Sequence, residues 1–282
     1  MTPVERFAPS PTGRLHLGHA FSAITAHDAA RAGAGRFLLR IEDIDAGRCR
    51  PEYEAGIVED LAWLGLRWDA PPLRQSTRLP AHAEALARLR AMGLLYPCAC
   101  TRADIAAAMS APQEGAGAAA PYPGTCRGRE GVGDDGRPVA LRLDMARALA
   151  LAGPGLWFEE LGAGPDGETG RIALDPGALL ATVGDVALAR KDLGTSYHLA
   201  VVADDAWQGV THVTRGRDLF AATPLHRLLQ ALLGLPSPRW RHHRLIRDAA
   251  GRRLAKRDDA RALAALRAGG ATPQDIRRMV GL

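Results

Sequence analysis

The segment from Arg6 to His19 constrains the fold of this chain most strongly. Its first half cannot be helical, because Pro9 and Pro11 lack amide hydrogens and favour extended backbone at the residues before them. From about Leu17 the composition favours a helix, and Gly33 is expected to cap its end. We therefore predict an extended segment, a turn, and a helix that begins beside two histidines.

The start of this helix is a candidate polyphosphate site. The first turn of a helix presents free amide hydrogens and a partial positive charge, and His16 and His19 flank it. Gly18 has no side chain, so a flat base or ribose can approach the backbone closely. Taken alone, a His-x-Gly-His pattern is more commonly a helix start with a surface histidine, so these four residues do not decide the function.

The longer segment resembles a known family. Residues 16–19 (His-Leu-Gly-His) resemble the HIGH box of class I aminoacyl-tRNA synthetases, and residues 7–13 (Phe-Ala-Pro-Ser-Pro-Thr-Gly) resemble its glutamyl and glutaminyl branch. The similarity continues through residues 64–69, 75–76 and 93–102. This resemblance implies an α/β fold: a class I synthetase Rossmann-like nucleotide-binding core, an inserted zinc-containing acceptor-binding-like subdomain and a short helical C-terminal part.

The hydrophobic pattern agrees with such a core. The apolar run that begins at Arg36 is typical of a buried parallel strand, and together with the preceding segment and helix it has the length of a βαβ unit. Glu42, Asp43 and Asp45 would then emerge at the carboxyl edge of the sheet, where ligands bind. One of these carboxylates could hold an ammonium group, or all three could simply solvate the strand end; the resemblance implies that Glu42 contacts glutamate.

The predicted organisation has four parts. Residues 1–96 form the first half of the catalytic core, 97–181 the inserted subdomain with the zinc site, 182–238 the second half of the core, and 239–282 a KMSKS-like loop and C-terminal helices with no anticodon-binding domain. Within the insertion we predict strands at about 138–143 and 155–160.

Helices and strands outside the insertion follow from the same patterns. We predict helices at Glu52–Leu64 and His82–Met92. The second half of the core is expected to open with a strand after Asp185, a tight turn at 192–194 and a buried stretch at Tyr197–Ala203.

Three cysteines and a tyrosine form a candidate zinc site. Cys98, Cys100 and Cys126 would supply three thiolates, and Tyr122 an oxygen, to a closed tetrahedral structural site. Spacing alone leaves open three buried or free cysteines. The four residues match the zinc set of tRNA-modifying paralogues of this branch, which attach glutamate to queuosine in tRNA(Asp), although residues 111–121 read as an extra loop in the interval.

The resemblance also implies the residues that bind the amino acid. A substrate with two carboxylates needs cationic partners, which Arg6 and Arg215 would supply, and the sequence does not say which carboxylate each engages. The implied glutamate contacts are Arg6, Phe7, Ala8, Pro9, Ser10, Glu42, Tyr197 and Arg215.

Residues 253–257 (Arg-Leu-Ala-Lys-Arg) resemble a degenerate form of the second class I box, KMSKS. A mobile lysine there, Lys256, could stabilise the charge that develops as pyrophosphate leaves. The implied catalytic residues are His16, His19 and Lys256, which with Gly18 also bind ATP. Mg²⁺ is expected to help stabilise the phosphates.

Length, composition and charge set further bounds. The 282 residues are 47% hydrophobic, which supports a sizeable core. Neither a long apolar run nor a signal-peptide pattern is present, so we expect a cytoplasmic protein. We also expect a monomer. Residues 239–257 hold eight Lys or Arg against one Asp, a patch suited to RNA phosphates, although Arg-rich composition explains it equally well.

The resemblance implies ATP-dependent activation of L-glutamate and its transfer to queuosine at the wobble position of tRNA(Asp). Two alternatives stay open. A truncated glutamyl-tRNA synthetase would charge the 3′ end of tRNA(Glu), and a catalytically silent RNA-binding relative would keep the fold without activating glutamate.

Overall fold

The computed structural model describes residues 2–101, 103–105, 121–246 and 262–282. The elements along the chain are β1 (Val4–Phe7), α1 (Leu17–Ala32), β2 (Arg36–Ile41), α2 (Pro51–Trp63), β3 (Leu73–Arg74), α3 (Leu79–Ala91), β4 (Leu95–Cys98), β5 (Ala140–Leu143), α4 (Met145–Ala152), β6 (Trp157–Glu160), β7 (Gly170–Ala173), α5 (Pro176–Thr182), β8 (Ala187–Ala189), α6 (Tyr197–Trp207), β9 (His212–Gly216), α7 (Thr223–Leu232), β10 (Arg239–His243), α8 (Leu263–Ala268) and α9 (Pro273–Val280).

The main sheet is mostly parallel and positions the site. Strands β1, β2 and β3 pair in parallel, as do β9, β10 and β6, while β7 runs antiparallel at the far edge. The two groups meet where the Thr211 amide donates to the Val4 carbonyl, at 3.0 Å. The three-stranded and four-stranded sheets therefore lie side by side in the order β3-β2-β1 and β9-β10-β6-β7, and together they form the main sheet, with the carboxyl ends of β1, β2, β9 and β10 at one edge. The predicted Rossmann-like core is confirmed.

The predicted end of α1 is confirmed, but its physical reason is different. The helix ends at Ala32, and Gly33 caps it with φ −90°, a conformation open to any residue. The left-handed position falls instead on Ala34, with φ 49°. Space excludes a side chain at both glycines of this turn, because a Cβ would lie 2.5 Å from the Pro3 ring at Gly33 and 2.1 Å from the Pro3 carbonyl oxygen at Gly35.

A small antiparallel sheet of β4, β5 and β8 packs beside the main sheet. Its strand β8 was predicted to open the second half of the catalytic core, whereas it pairs with β5. The predicted buried stretch from Tyr197 is helix α6, because the Ser196 side chain caps its start by accepting from the Leu199 amide at 3.5 Å.

The predicted insertion also contributes to the main sheet. Both strands predicted within it are present, but β6 pairs with β10 in parallel through Glu160 and Trp240, and β7 extends the same sheet. The boundaries proposed at 96/97 and 181/182 stay predictions.

The C-terminal helices close against the first half of the core. Leu263 and Ile276 are fully buried in the cluster formed by α1, α2, β1 and β2. The Leu263 amide donates to the Leu15 carbonyl at 2.8 Å, one residue before His16. The segment between β1 and α1, near the start of the chain, is therefore bonded to a residue near its end. Within the described ranges, no helix has the length and apolar character needed to cross a membrane.

We expect Trp240→Ala to lower the free energy of unfolding by about 3–5 kcal/mol, because it leaves a large cavity in the core. Trp240 is 1% exposed and packs edge-on against Phe158 at 5.6 Å between ring centroids. Urea titration followed by circular dichroism measures the loss. The matched control is Trp207→Ala: Trp207 is 60% exposed, so a similar loss there would contradict burial as the cause.

Candidate active site

The start of α1 is built by its own two histidines. The His16 amide donates to His19 Nδ1 at 3.2 Å, and the Gly18 amide donates to His16 Nδ1 at 3.1 Å. These amides are therefore not free for a ligand, which corrects the prediction. Because both Nδ1 atoms accept from backbone, each neutral imidazole carries its proton on Nε2, as a donor suited to phosphate oxygens.

Gly18 leaves room for this arrangement. A Cβ at that position would lie 3.0 Å from the His16 ring, so the ring would have to shift by a few tenths of an ångström. The two rings are 3.8 Å apart between centroids and tilted by 35°.

A cavity of about 730 Å³ opens at the carboxyl edge of the main sheet. It is lined by the start of α1, the ends of β1 and β9 and residues 243–246. The structure brings together all the predicted ATP and glutamate contacts that it describes: Arg6, Phe7, Ala8, Pro9, Ser10, His16, Gly18, His19, Glu42, Tyr197 and Arg215. Lys256 and the KMSKS-like loop lie outside the described residues.

Arg6 belongs to a buried ion-pair cluster. Its Nε donates to Asp205 at 3.0 Å, and Asp205 also accepts from Arg40 at 2.6 Å. Arg40 in turn donates to Glu42 at 3.2 Å. Two guanidinium groups and two carboxylates thus balance each other, so the charge of Arg6 is already compensated within the protein.

Glu42 lies at the cavity wall in a setting that favours a cationic ligand. Burial raises the pKa of its carboxyl group, although Arg40 and Arg6 oppose the shift. A ligand ammonium group would stabilise the carboxylate further. Tyr197 lines the same wall, and burial raises the pKa of its phenol, which keeps it a neutral donor.

Arg215 is buried among neutral acceptors. Its Nε donates to His242 Nε2 at 3.0 Å, its Nη1 to His226 Nδ1 at 3.2 Å and its Nη2 to Thr223 Oγ1 at 2.8 Å. Arg6 and Arg40 form ion pairs, whereas no carboxylate pairs with Arg215 within the described ranges. Burial lowers the pKa of the guanidinium group, so this charge is costly and calls for an anionic ligand.

Several of these supporting residues were missed from the sequence. Asp205 lies in a mostly apolar helix, and Glu160 and His242 lie at buried positions of their strands. A buried polar residue inside an apolar element is the signal that could have found them, because such a group is retained only with a partner.

A second cavity of about 290 Å³ meets the first. The two share Ser10, Glu42 and Tyr197, and the smaller one continues to Asp45 and Arg190. The shared residues can therefore be approached from two sides.

The predicted zinc ligands lie together in a separate cluster. The sulfur atoms of Cys98, Cys100 and Cys126 lie within 4.8 Å of one another. Tyr122 Oη is 3.4 Å from the Cys98 sulfur and 3.5 Å from the Cys100 sulfur. A tetrahedral zinc with Zn–S bonds of ~2.3 Å has edges of roughly this length, so the donor set fits the ion.

Further contacts favour an oxygen ligand at Tyr122. The Cys126 amide donates to its Oη at 2.9 Å, and the Arg142 guanidinium lies 3.7 Å over its ring. Burial alone would raise the pKa of the Cys126 thiol, but hydrogen bonds with Tyr122 and Cys100 lower it to about 7.

The comparisons with known proteins agree with this geometry. The family described as tRNA synthetases class I (E and Q), catalytic domain, matches residues 4–149 and 159–282. A glutamate–tRNA synthetase of Elizabethkingia anophelis superposes with a TM-score of 0.72 at 25% identity, over 92% of this chain and 53% of that one. Mycobacterium tuberculosis methionyl-tRNA synthetase, at 14% identity and a TM-score of 0.61, shares the fold.

The chain therefore belongs to the class I tRNA synthetases of the glutamyl and glutaminyl branch. It spans about half the length of the E. anophelis enzyme. A Rhodobacter capsulatus protein named glutamyl-Q tRNA(Asp) synthetase is 58% identical over 99% of this chain and 100% of its own length. A Symbiobacterium thermophilum protein of the same name is 43% identical over 96% and 83%. Within the branch, the chain is a member of the glutamyl-Q tRNA(Asp) synthetase family.

We expect purified protein to hold about one equivalent of zinc, and Cys126→Ser to lose most of it, because a structural site needs all four ligands. Elemental analysis after dialysis measures the content. Cys49→Ser is the matched control, since Cys49 lies outside the cluster. Full zinc content in Cys126→Ser would contradict the assignment.

The histidine His198, on helix α6, predicts that the protein loses stability as the pH falls. Burial and the Arg215 charge lower the pKa of His198 from 6.5 to about 4 in the folded protein. Between these values the unfolded chain binds more protons, so the free energy of unfolding falls as the pH drops from 6.5 toward 4. On going from pH ~7.5 to ~5, His198→Gln should lose about 1–2 kcal/mol less than wild type in urea titrations. Equal losses would contradict the expectation.

Proposed function

We propose that this protein activates L-glutamate with ATP and transfers it to the queuosine base at the wobble position of tRNA(Asp). The observation that carries the proposal is that the start of α1, Glu42, Tyr197 and Arg215 all line the same cavity. The names of the near full-length relatives supply the nucleic-acid substrate.

The glutamate contacts follow from the charges around the cavity. Glu42 would accept hydrogen bonds from the ammonium group, with Tyr197 beside it. Arg215 would bind a carboxylate, because its own charge lacks an ion pair among the described residues, whereas Arg6 is compensated by Asp205 and would act mainly through shape and position. Residues 7–10, from Phe7 to Ser10, would form the backbone wall of this subsite.

ATP would lie across the start of α1, with its base or ribose against Gly18 and its phosphates beside His16 and His19. The Nε2–H groups of the two histidines would donate to phosphate oxygens, and Lys256 would approach from the KMSKS-like loop. Mg²⁺ would enter with ATP and neutralise phosphate charge.

The chemistry has two steps. An oxygen of the glutamate α-carboxylate attacks the α-phosphorus of ATP in line; the bond to the bridging oxygen breaks and pyrophosphate leaves, giving glutamyl-adenylate. A cyclopentene hydroxyl of queuosine then attacks the activated carbonyl carbon, AMP leaves with the bonding pair, the hydroxyl proton is released, and an ester forms. The protein contributes positioning and charge stabilisation and needs no nucleophile of its own.

The remaining parts of the proposal concern the partners. The second cavity, at Asp45 and Arg190, would be a separate approach for the acceptor hydroxyl to the activated carboxyl group. The zinc held by Cys98, Cys100, Tyr122 and Cys126 would be structural and would join residues 98–100, at the end of β4, to residues 122–126. We further propose a cytoplasmic monomer.

Transfer of labelled glutamate separates this function from its alternatives. We expect label on tRNA(Asp) that contains queuosine, no label on the same tRNA without queuosine, and no effect of periodate oxidation restricted to the 3′ end. Label on tRNA(Glu) that disappears after 3′ oxidation would show an aminoacylating synthetase instead. No label, together with no glutamate-dependent ATP–pyrophosphate exchange, would show a silent relative.

A further inference from the structure

The neutral surroundings of Arg215 depend on a carboxylate one residue further away. His242 Nδ1 lies 2.5 Å from Glu160 Oε2, and its other ring nitrogen is the acceptor for Arg215. Glu160 Oε1 also accepts from the backbone amides of His242 and Gly162, both at 2.8 Å. Glu160 and His242 are 1% and 2% exposed, so the arrangement is shielded from water.

The directions of the hydrogen bonds that link Glu160, His242 and Arg215 are fixed. An arginine can only donate, so His242 Nε2 must accept, and the imidazole proton must reside on Nδ1. That proton is donated to Glu160. The carboxylate therefore selects the one tautomer of His242 that can accept from Arg215.

A second branch repeats the same logic. His226 Nδ1 accepts from Arg215, so its proton resides on Nε2 and is donated to His198 Nδ1 at 3.1 Å. Burial and Arg215 lower the pKa of His226 well below 6.5, so it stays neutral. Burial lowers the pKa of His242 as well, while hydrogen bonds from His242 lower the pKa of Glu160 against the effect of burial.

We propose that Glu160 and His242 are positioning residues for the amino-acid substrate, because together they orient Arg215 and leave its charge for a ligand carboxylate. This inference rests on the proposed function and adds to it residues that do not contact the substrate. A direct carboxylate on Arg215 would orient it equally well but would cancel its charge. The intervening neutral imidazole keeps the orientation and avoids the cancellation.

Selectivity for glutamate over glutamine follows from this arrangement. A neutral amide in place of the ligand carboxylate would leave the buried guanidinium charge uncompensated. The free-energy cost of binding glutamine therefore depends on whether the hydrogen-bond partners of Arg215 stay neutral and keep its guanidinium group oriented.

Glu160→Gln tests the proposal with almost no change in shape. The oxygen of the new side chain must stay at the two backbone amides, so its NH₂ group faces His242 Nδ1. That nitrogen must then accept, the proton moves to Nε2, and an N–H points at the N–H of Arg215. The variant thus turns an acceptor into a donor at the contact with Arg215.

We expect Glu160→Gln to raise the KM for glutamate in ATP–pyrophosphate exchange about tenfold or more, the usual effect of losing a buried hydrogen bond to a charged group. The KM for ATP and kcat should change less than about twofold, since the start of α1 is untouched. The matched control is Glu159→Gln, one residue earlier: Glu159 pairs with Arg239 at 2.6 Å on the surface, and its loss should leave all three constants unchanged. An unaltered KM for glutamate in Glu160→Gln, or an equal rise in the KM for ATP, overturns the proposal.

A pair of variants at His226 guards against a general loss of structure. His226→Gln can still accept from Arg215 and donate to His198, whereas His226→Leu can do neither. The proposal expects a near wild-type KM for glutamate in the first and a raised one in the second. Equal constants for the two would overturn it.

Two measurements separate this proposal from the proposed function. Nitrogen NMR of the histidine side chains should show the Nδ1–H tautomer of His242 in the wild-type protein and the Nε2–H tautomer in Glu160→Gln. Calorimetry gives the dissociation constant of glutamate without any reaction. If wild-type protein binds glutamate but shows no exchange, the proposed activity is rejected. A weaker Kd for glutamate in Glu160→Gln would then still support the positioning role, and an equal Kd would reject it. Wild-type protein that binds no glutamate would reject both proposals.

Discussion

The candidate active site depends on one unfavourable feature, the burial of Arg215 without an ion pair among the described residues. A guanidinium removed from water is expensive unless a negative charge meets it, and here its acceptors are two imidazoles and a hydroxyl. The fold tolerates this cost because rigid elements hold every acceptor: His242 on β10, and Thr223 and His226 on α7. The resulting site is complementary to an anion before any ligand arrives, which is the pre-organisation that an amino-acid activating enzyme needs.

The contrast with Arg6 shows how one cavity can give two arginines different tasks. Asp205 compensates Arg6 and Arg40 at once, and Arg40 extends the cluster to Glu42. This cluster is electrically balanced, so it fixes the geometry of the β1 and β2 ends without attracting an anion. The sequence left open which arginine engages which carboxylate; from the charge balance, we propose that Arg215 makes the stronger anion contact.

The sequence was most informative where function resides in local backbone. Pro9, Pro11 and Gly18 restrict the chain so strongly that the start of α1 followed from residue types alone, and β1, α1 and β2 are present as predicted. It was least informative where partners come from distant segments. Nothing local distinguishes the strand at 187–189 as a member of the small sheet, because pairing with β5 is a tertiary choice. Roles of the individual site residues, as well as the part boundaries, stay predictions for the same reason.

The sheet order explains why Glu160 influences a site to which it contributes no wall. Strand β6 lies in a region that resembles an insertion, yet it pairs with β10 and so delivers its last residue to His242. The end of the insertion-like region and Arg215 in the cavity wall therefore share one hydrogen-bonded unit. A displacement of β6 would alter the partner of His242 and hence the acceptor offered to Arg215.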